Sequence, residues 1–203
     1  MTTAGLGRPP VGAPWITVVN VPNAVTLART AAAVCLATTA ITTRSTALLV
    51  AAYLTYWAGD ILDGLLARRL RQETRAGAVF DILADRACTC VCAAGLLMTR
   101  PGMVLPITVF LLQFMVLDNL LSLAFLRWPL LSPNYFDRVS PGIHRWNWSP
   151  PAKALNTGAL VVLITVSTAP LAPTLLAAAV TAVKLASLVA LLRLPDPHAP
   201  AAP

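Results

Sequence analysis

Apolar residues in this chain run in blocks of about twenty, long enough to cross a bilayer as α-helices at about 1.5 Å per residue. Six such blocks can be placed at roughly 24–43, 46–67, 77–99, 103–126, 152–170 and 172–194. Between the fourth and fifth lies the longest polar interruption, 127–151, where Pro129, Pro133, Pro141, Pro150 and Pro151 argue against a seventh span. Residues 1–21 read as a flexible or interfacial lead, with Trp15 and Ile16 able to rest at a membrane surface, and no cleavable signal peptide is evident. Pro22-Asn23 then opens the first helix, and the Pro- and Ala-rich tail 195–203 reads as disordered. The pattern therefore predicts an all-α integral membrane protein with one six-helix transmembrane domain over 22–194.

Composition supports this class and narrows it. Of the 203 residues, 57% are hydrophobic and only 11% charged, which is too apolar for a soluble domain. Arg68, Arg69, Arg71 and Arg75 follow the second block, and Arg127, Arg138, Arg145 and Lys153 lie around 127–151, whereas Arg44 and Arg100 mark the opposite loops. By the positive-inside rule both basic loops and both termini face the cytoplasm, and a cell-membrane location follows. A net charge of +7 favours anionic headgroups and phosphorylated substrates, and no aromatic-basic module for nucleic acid is present. Cys35, Cys88, Cys90 and Cys92 fall in apolar helix, where thiols act as small hydrophobes.

The candidate chemistry lies in four aspartates between positions 60 and 85, half of the eight acidic residues. Asp60 and Asp63 are three apart and Asp81 and Asp85 four apart, so each pair shares one helical face. The short connection makes the second and third helices antiparallel neighbours, which brings the pairs together. Four carboxylates so close cannot all ionise uncompensated; all-oxygen ligands suit Mg²⁺, Mn²⁺ or Ca²⁺ rather than zinc, and two such ions are the arrangement used in phosphoryl transfer. The competing reading is a set of salt bridges to Arg68, Arg75 and Arg86, which costs more desolvation than it returns. Gly64 and Ala67 leave a shallow groove beside the acids, suited to a nucleotide near Arg68. Arg29, near the start of the first helix, is expected to snorkel or to meet a phosphate.

The run D-x2-D-G-x2-A-R-x8-G-x3-D-x3-D, from Asp60 to Asp85, resembles the signature of the CDP-alcohol phosphotransferases at every fixed position. The lead Pro22-Asn23-x-x-Thr26-x-x-Arg29 and the six-span pattern extend the resemblance over most of the chain. It implies the fold of that family and a homodimeric transferase of phospholipid biosynthesis, joining CDP-diacylglycerol to an alcohol with release of CMP. By the same resemblance Asp60, Asp63 and Asp81 hold two divalent ions, with Asp85 as second-metal ligand and general base. Thr26, Gly64, Ala67, Arg68 and Gly77 map around the cytidine nucleotide.

The acceptor is less constrained. The style is nearest to phosphatidylglycerophosphate synthases, so glycerol 3-phosphate is the first expectation, held by Arg138 and Lys153 with Arg145 and Arg127. Lys153 and Thr157 are kept at the start of the fifth block, but Asn156 replaces a second lysine, and Asp118-Asn119 stands where such enzymes carry an arginine-acid pair. Inositol phosphate and unphosphorylated alcohols stay open. A divalent-cation carrier, with Lys184 in the last block as part of a coupling site, is the alternative from another class.

Overall fold

The computed structural model describes residues 19–195, and the expectations for the lead before Val19 and for most of the tail lie outside them. Among the described residues the chain is helical, with no strand.

The first three helices form the frame of the site. Helix α1, Val21–Thr43, starts on Asn20, whose side chain accepts from the Asn23 amide, and has Pro22 in its first turn. It stops where Arg44 turns left-handed at φ 53°. Ser45 caps α2, Thr46–Arg69, and Thr74 caps α3, Arg75–Thr99, by accepting from the Gly77 amide. Between α2 and α3, Arg71 takes a second left-handed turn at φ 54°, and the Gln72 amide closes back on the Ala67 carbonyl at 2.9 Å. This tight reversal lays α2 and α3 antiparallel, as their spacing predicts, and α1 packs against both.

Helix α4, Pro101–Arg127, is irregular, with a π-helical stretch over Gln113–Asp118. Beyond it come a 3₁₀ turn, Pro133–Arg138, and the short helix α5, Pro141–Asn147. A further helix, α6, runs over 150–166 with a π-helical stretch at Ala154–Ala159, and α7 spans Leu171–Leu192. Helix α6 ends before the 170 expected from the apolar block, because the Arg100 guanidinium reaches across to the carbonyls of Ile164, Thr165 and Ser167 and closes its last turn.

Among the described residues four helices, Val21–Thr43, Arg75–Thr99, Pro101–Arg127 and Leu171–Leu192, are long and apolar enough to cross a membrane. This is fewer than the six blocks read from the sequence. The difference has a plain cause: α2 carries Asp60, Asp63, Arg68 and Arg69, and α6 is shortened at its end.

The segment 127–151 also differs from its expected character as a polar interruption. Trp128, Leu130, Phe136, Ile143 and Trp148 are buried together with Ile82 of α3, Phe125 of α4 and Leu191 of α7. Phe136 sits between Trp128 and Trp148, with ring centroids 5.2 and 5.0 Å away. The prolines prevent a continuous span, yet the aromatic residues among them make this connection part of the core.

Candidate active site

The site is assembled from α1, α2 and the start of α3. Antiparallel packing brings the carboxylates of Asp60, Asp63 and Asp81 together, each offering an oxygen within 4.8 Å of the others. Their environments differ: the Asp63 side chain is 5% exposed, whereas those of Asp60 and Asp81 are each 38% exposed. Three clustered carboxylates, all oxygen donors and open on one side, fit Mg²⁺ or Mn²⁺ and do not offer the nitrogen or sulfur atoms that zinc prefers. Asp85, one turn deeper on α3, adjoins this trio through a shared partner on α1.

That partner is Arg29. Its guanidinium donates from Nε to Asp63 Oδ2 at 2.8 Å and from Nη2 to Asp81 Oδ1 at 2.5 Å and Asp85 Oδ1 at 3.0 Å. Asp60 Oδ1 lies 3.5 Å from the same Nη2. Of the two expectations for Arg29, snorkelling is corrected: its side chain turns inward, is 3% exposed, and bridges all four acids. A buried guanidinium needs such partners. Among the described residues no salt bridge joins Arg68 or Arg86 to the four aspartates. Arg75 donates to the carbonyls of Leu126 and Trp128, at 2.6 and 3.3 Å, and Arg86 pairs with Asp118 at 2.6 Å.

Beside the acids an open cleft encloses about 520 Å³, counting the part continuous with solvent. Thr26, Asp63, Gly64, Ala67, Arg68, Gly77 and Asp81 all border it, whereas the motif's outer aspartates, Asp60 and Asp85, are not part of its lining. Thr26 also donates to Asp63 Oδ2 at 2.7 Å, which ties the α1 lead to the acid cluster. A Cβ on Gly77 would lie 2.8 Å from Asn23 Oδ1 and 2.9 Å from Thr74 Oγ1, so the glycine lets α1 approach the first turn of α3. The remaining wall escaped sequence reasoning: Gln72, Glu73 and Thr74 come from the α2–α3 reversal, and Leu131, Ser132 and Asn134 from the distant connection. No local pattern marks these residues, because tertiary packing alone brings the connection over the cleft.

The expected acceptor residues are divided by the structure. Lys153 donates to Asn134 Oδ1 at 2.8 Å and so stands at the cleft wall. Arg138 lies over the Tyr135 ring, 4.8 Å from its centroid, and the Tyr135 hydroxyl donates to both Glu73 oxygens, at 3.0 and 2.8 Å. Burial and the Glu73 carboxylate push the Tyr135 phenol above its ordinary range, so this clasp keeps its proton. Arg127 is instead placed over the Trp128 ring at 5.0 Å, and Arg145 is exposed on α5; neither borders the cleft.

Lys184 is buried on α7 and pairs with Asp118 Oδ1 at 2.5 Å, while Arg86 holds Oδ2. Among the described residues no ion pair joins Lys184 to the four aspartates, so a coupling role with them gains no support.

No curated protein and no solved structure matches the chain. Residues 19–190, from the cap of α1 to near the end of α7, match the CDP-alcohol phosphatidyltransferase family, the span that contains every motif residue described above. The chain belongs to the CDP-alcohol phosphatidyltransferases, a family of transferases that move a phosphatidyl group from a CDP-alcohol to an acceptor.

Proposed function

We propose that the protein transfers the phosphatidyl group of CDP-diacylglycerol to a phosphorylated alcohol, glycerol 3-phosphate first, and releases CMP. The observation that carries this reading is the acid trio of Asp60, Asp63 and Asp81, of which Asp63 and Asp81 border a cleft that Gly64, Ala67, Arg68 and Gly77 also line. Asp60, Asp63, Asp81 and Asp85 would hold two Mg²⁺ or Mn²⁺ ions, which supply Lewis-acid charge for the pyrophosphate.

The chain's own groups perform the rest. Gly64, Ala67 and Gly77 give the nucleotide a wall without long side chains, and Arg68 offers a cation at the cleft. Asp85 accepts the proton of the acceptor hydroxyl as that oxygen bonds to the lipid-side phosphorus and the bond to the CMP oxygen breaks. Lys153, which bonds the cleft residue Asn134, would meet the acceptor's phosphate. The arginine asymmetry supports a cleft that opens to the cytoplasm, and the resemblance supports a homodimer in the cell membrane.

Detergent-purified protein incubated with CDP-diacylglycerol, Mn²⁺ and a panel of alcohols and their phosphates tests the assignment through the lipid formed. A phosphatidyl ester of glycerol 3-phosphate is the expected product. The phosphatidyl ester of inositol phosphate would move the assignment to the inositol-type acceptor, and equal reaction with plain glycerol would remove the phosphate requirement.

A further inference from the structure

Among the described residues Arg29 is the one cation paired with all four carboxylates, and the chain is shaped around it. A Cβ on Gly59 would lie 2.5 Å from Arg29 Cβ and 2.6 Å from Arg29 Cδ, so α2 leaves a slot that only glycine provides. On another side the Tyr56 ring lies 5.5 Å from the guanidinium carbon. Each aspartate gives Arg29 one oxygen: Oδ1 of Asp60, Asp81 and Asp85, and Oδ2 of Asp63. One guanidinium balances a quarter of the formal charge of four ionised acids, so the cluster keeps a demand for further positive charge.

We propose that Arg29 is a built-in counter-cation of this site, which steadies the acid cluster by itself and competes with divalent ions for the same four carboxylates. The inference rests on the metal-dependent reading given above. Cations that share ligands so closely repel one another strongly even at an effective dielectric constant of about 20. Arg29 and the ions are therefore coupled with opposite sign: each weakens the site's need for the other. By linkage the coupling is reciprocal, so the effect of Mn²⁺ on the Arg29 contribution equals the effect of Arg29 on Mn²⁺ affinity. Arg29 thus acts as a positioning residue, fixing one oxygen of each acid while keeping ion affinity moderate.

The test compares wild type with Arg29→Gln and Arg29→Lys in detergent, by thermal unfolding in EDTA and in saturating Mn²⁺ and by Mn²⁺ titration followed by electron paramagnetic resonance. Arg29→Gln should unfold several degrees lower in EDTA and recover most of the loss in Mn²⁺, with a Mn²⁺ Kd about tenfold tighter than wild type. Arg29→Lys keeps the charge but cannot span four oxygens, so its recovery and affinity should fall between the two; it also serves if Arg29→Gln does not fold. An equal loss of stability in EDTA and Mn²⁺, or a weaker Mn²⁺ affinity in either variant, overturns the proposal while leaving the metal site standing. If Mn²⁺ neither binds nor stabilises wild type, the metal-dependent reading and this inference both fall.

Discussion

Lys184 on α7 donates to Asp118 Oδ1 at 2.5 Å while Arg86 on α3 holds Oδ2 of the same carboxylate at 2.6 Å, so one acid on α4 ties three helices together. Arg86 also lies over the Phe114 ring, 3.7 Å from its centroid. The knot has two cations and one acid, which makes its members unequal. Asp118→Asn leaves two buried cations without a counter-charge and should cost about 3 to 5 kcal/mol of stability. Lys184→Met leaves the Arg86–Asp118 pair intact and should cost far less. Denaturation of the purified variants in mixed micelles checks the order, and an equal loss for both would refute this account of the knot.

Asp85→Asn is expected to abolish CMP release while CDP-diacylglycerol still binds, because the change removes a proton acceptor and keeps the side chain's size. Single-turnover release of labelled CMP, beside equilibrium binding of the lipid, separates the two effects. Activity within threefold of wild type would end the assignment of Asp85 as general base.

Asp60→Asn and Asp81→Asn should behave differently. Loss of a carboxylate from the trio should weaken nucleotide binding as well as turnover, by about 10- to 100-fold for a group that helps hold metal. Chelation of wild type should reproduce the defect, and readdition of Mn²⁺ should restore wild type more completely than either variant. Variants that bind CDP-diacylglycerol normally would show that the trio does not serve the nucleotide.

Among the four basic residues expected at the acceptor, position now ranks the outcomes. Lys153→Gln should raise the acceptor KM strongly, since Lys153 touches a cleft residue, and Arg138→Gln should act more weakly through Tyr135 and Glu73. Arg145→Gln should leave acceptor kinetics unchanged, because Arg145 does not border the cleft. Initial rates at varied glycerol 3-phosphate measure this directly; a larger effect at Arg145 than at Lys153 would contradict the placement.

The sequence announces those features that repeat at helical spacing. Asp60, Asp63 and Asp81 converge because intervals of three residues and a short reversal have only one compact solution. Gly64, Ala67, Arg68 and Gly77 join the same wall for the same reason. Arg29 shows what such reading loses: its position near the start of an apolar helix suggests an outward path, and only the Gly59 slot on the neighbouring helix reveals an inward one. Gly59 precedes Asp60 without belonging to any spacing pattern. The connection 127–151 shows a related loss, since prolines break periodicity and hide the fact that Trp128, Phe136 and Trp148 are buried together. The six-span count is not matched at α2, where the charges that build the site also weaken its apolar signature.

That buried connection limits how the enzyme can be re-engineered or can diverge. Leu131, Ser132 and Asn134 face the cleft from a segment whose neighbours Leu130, Phe136 and Ile143 are packed with Ile82 and Leu191. An exposed loop can be exchanged between relatives as a cassette to alter which acceptor is used. Here a graft would have to carry matching residues from α3 and α7, so acceptor preference should change by single substitutions at the rim more readily than by transplanting the segment whole.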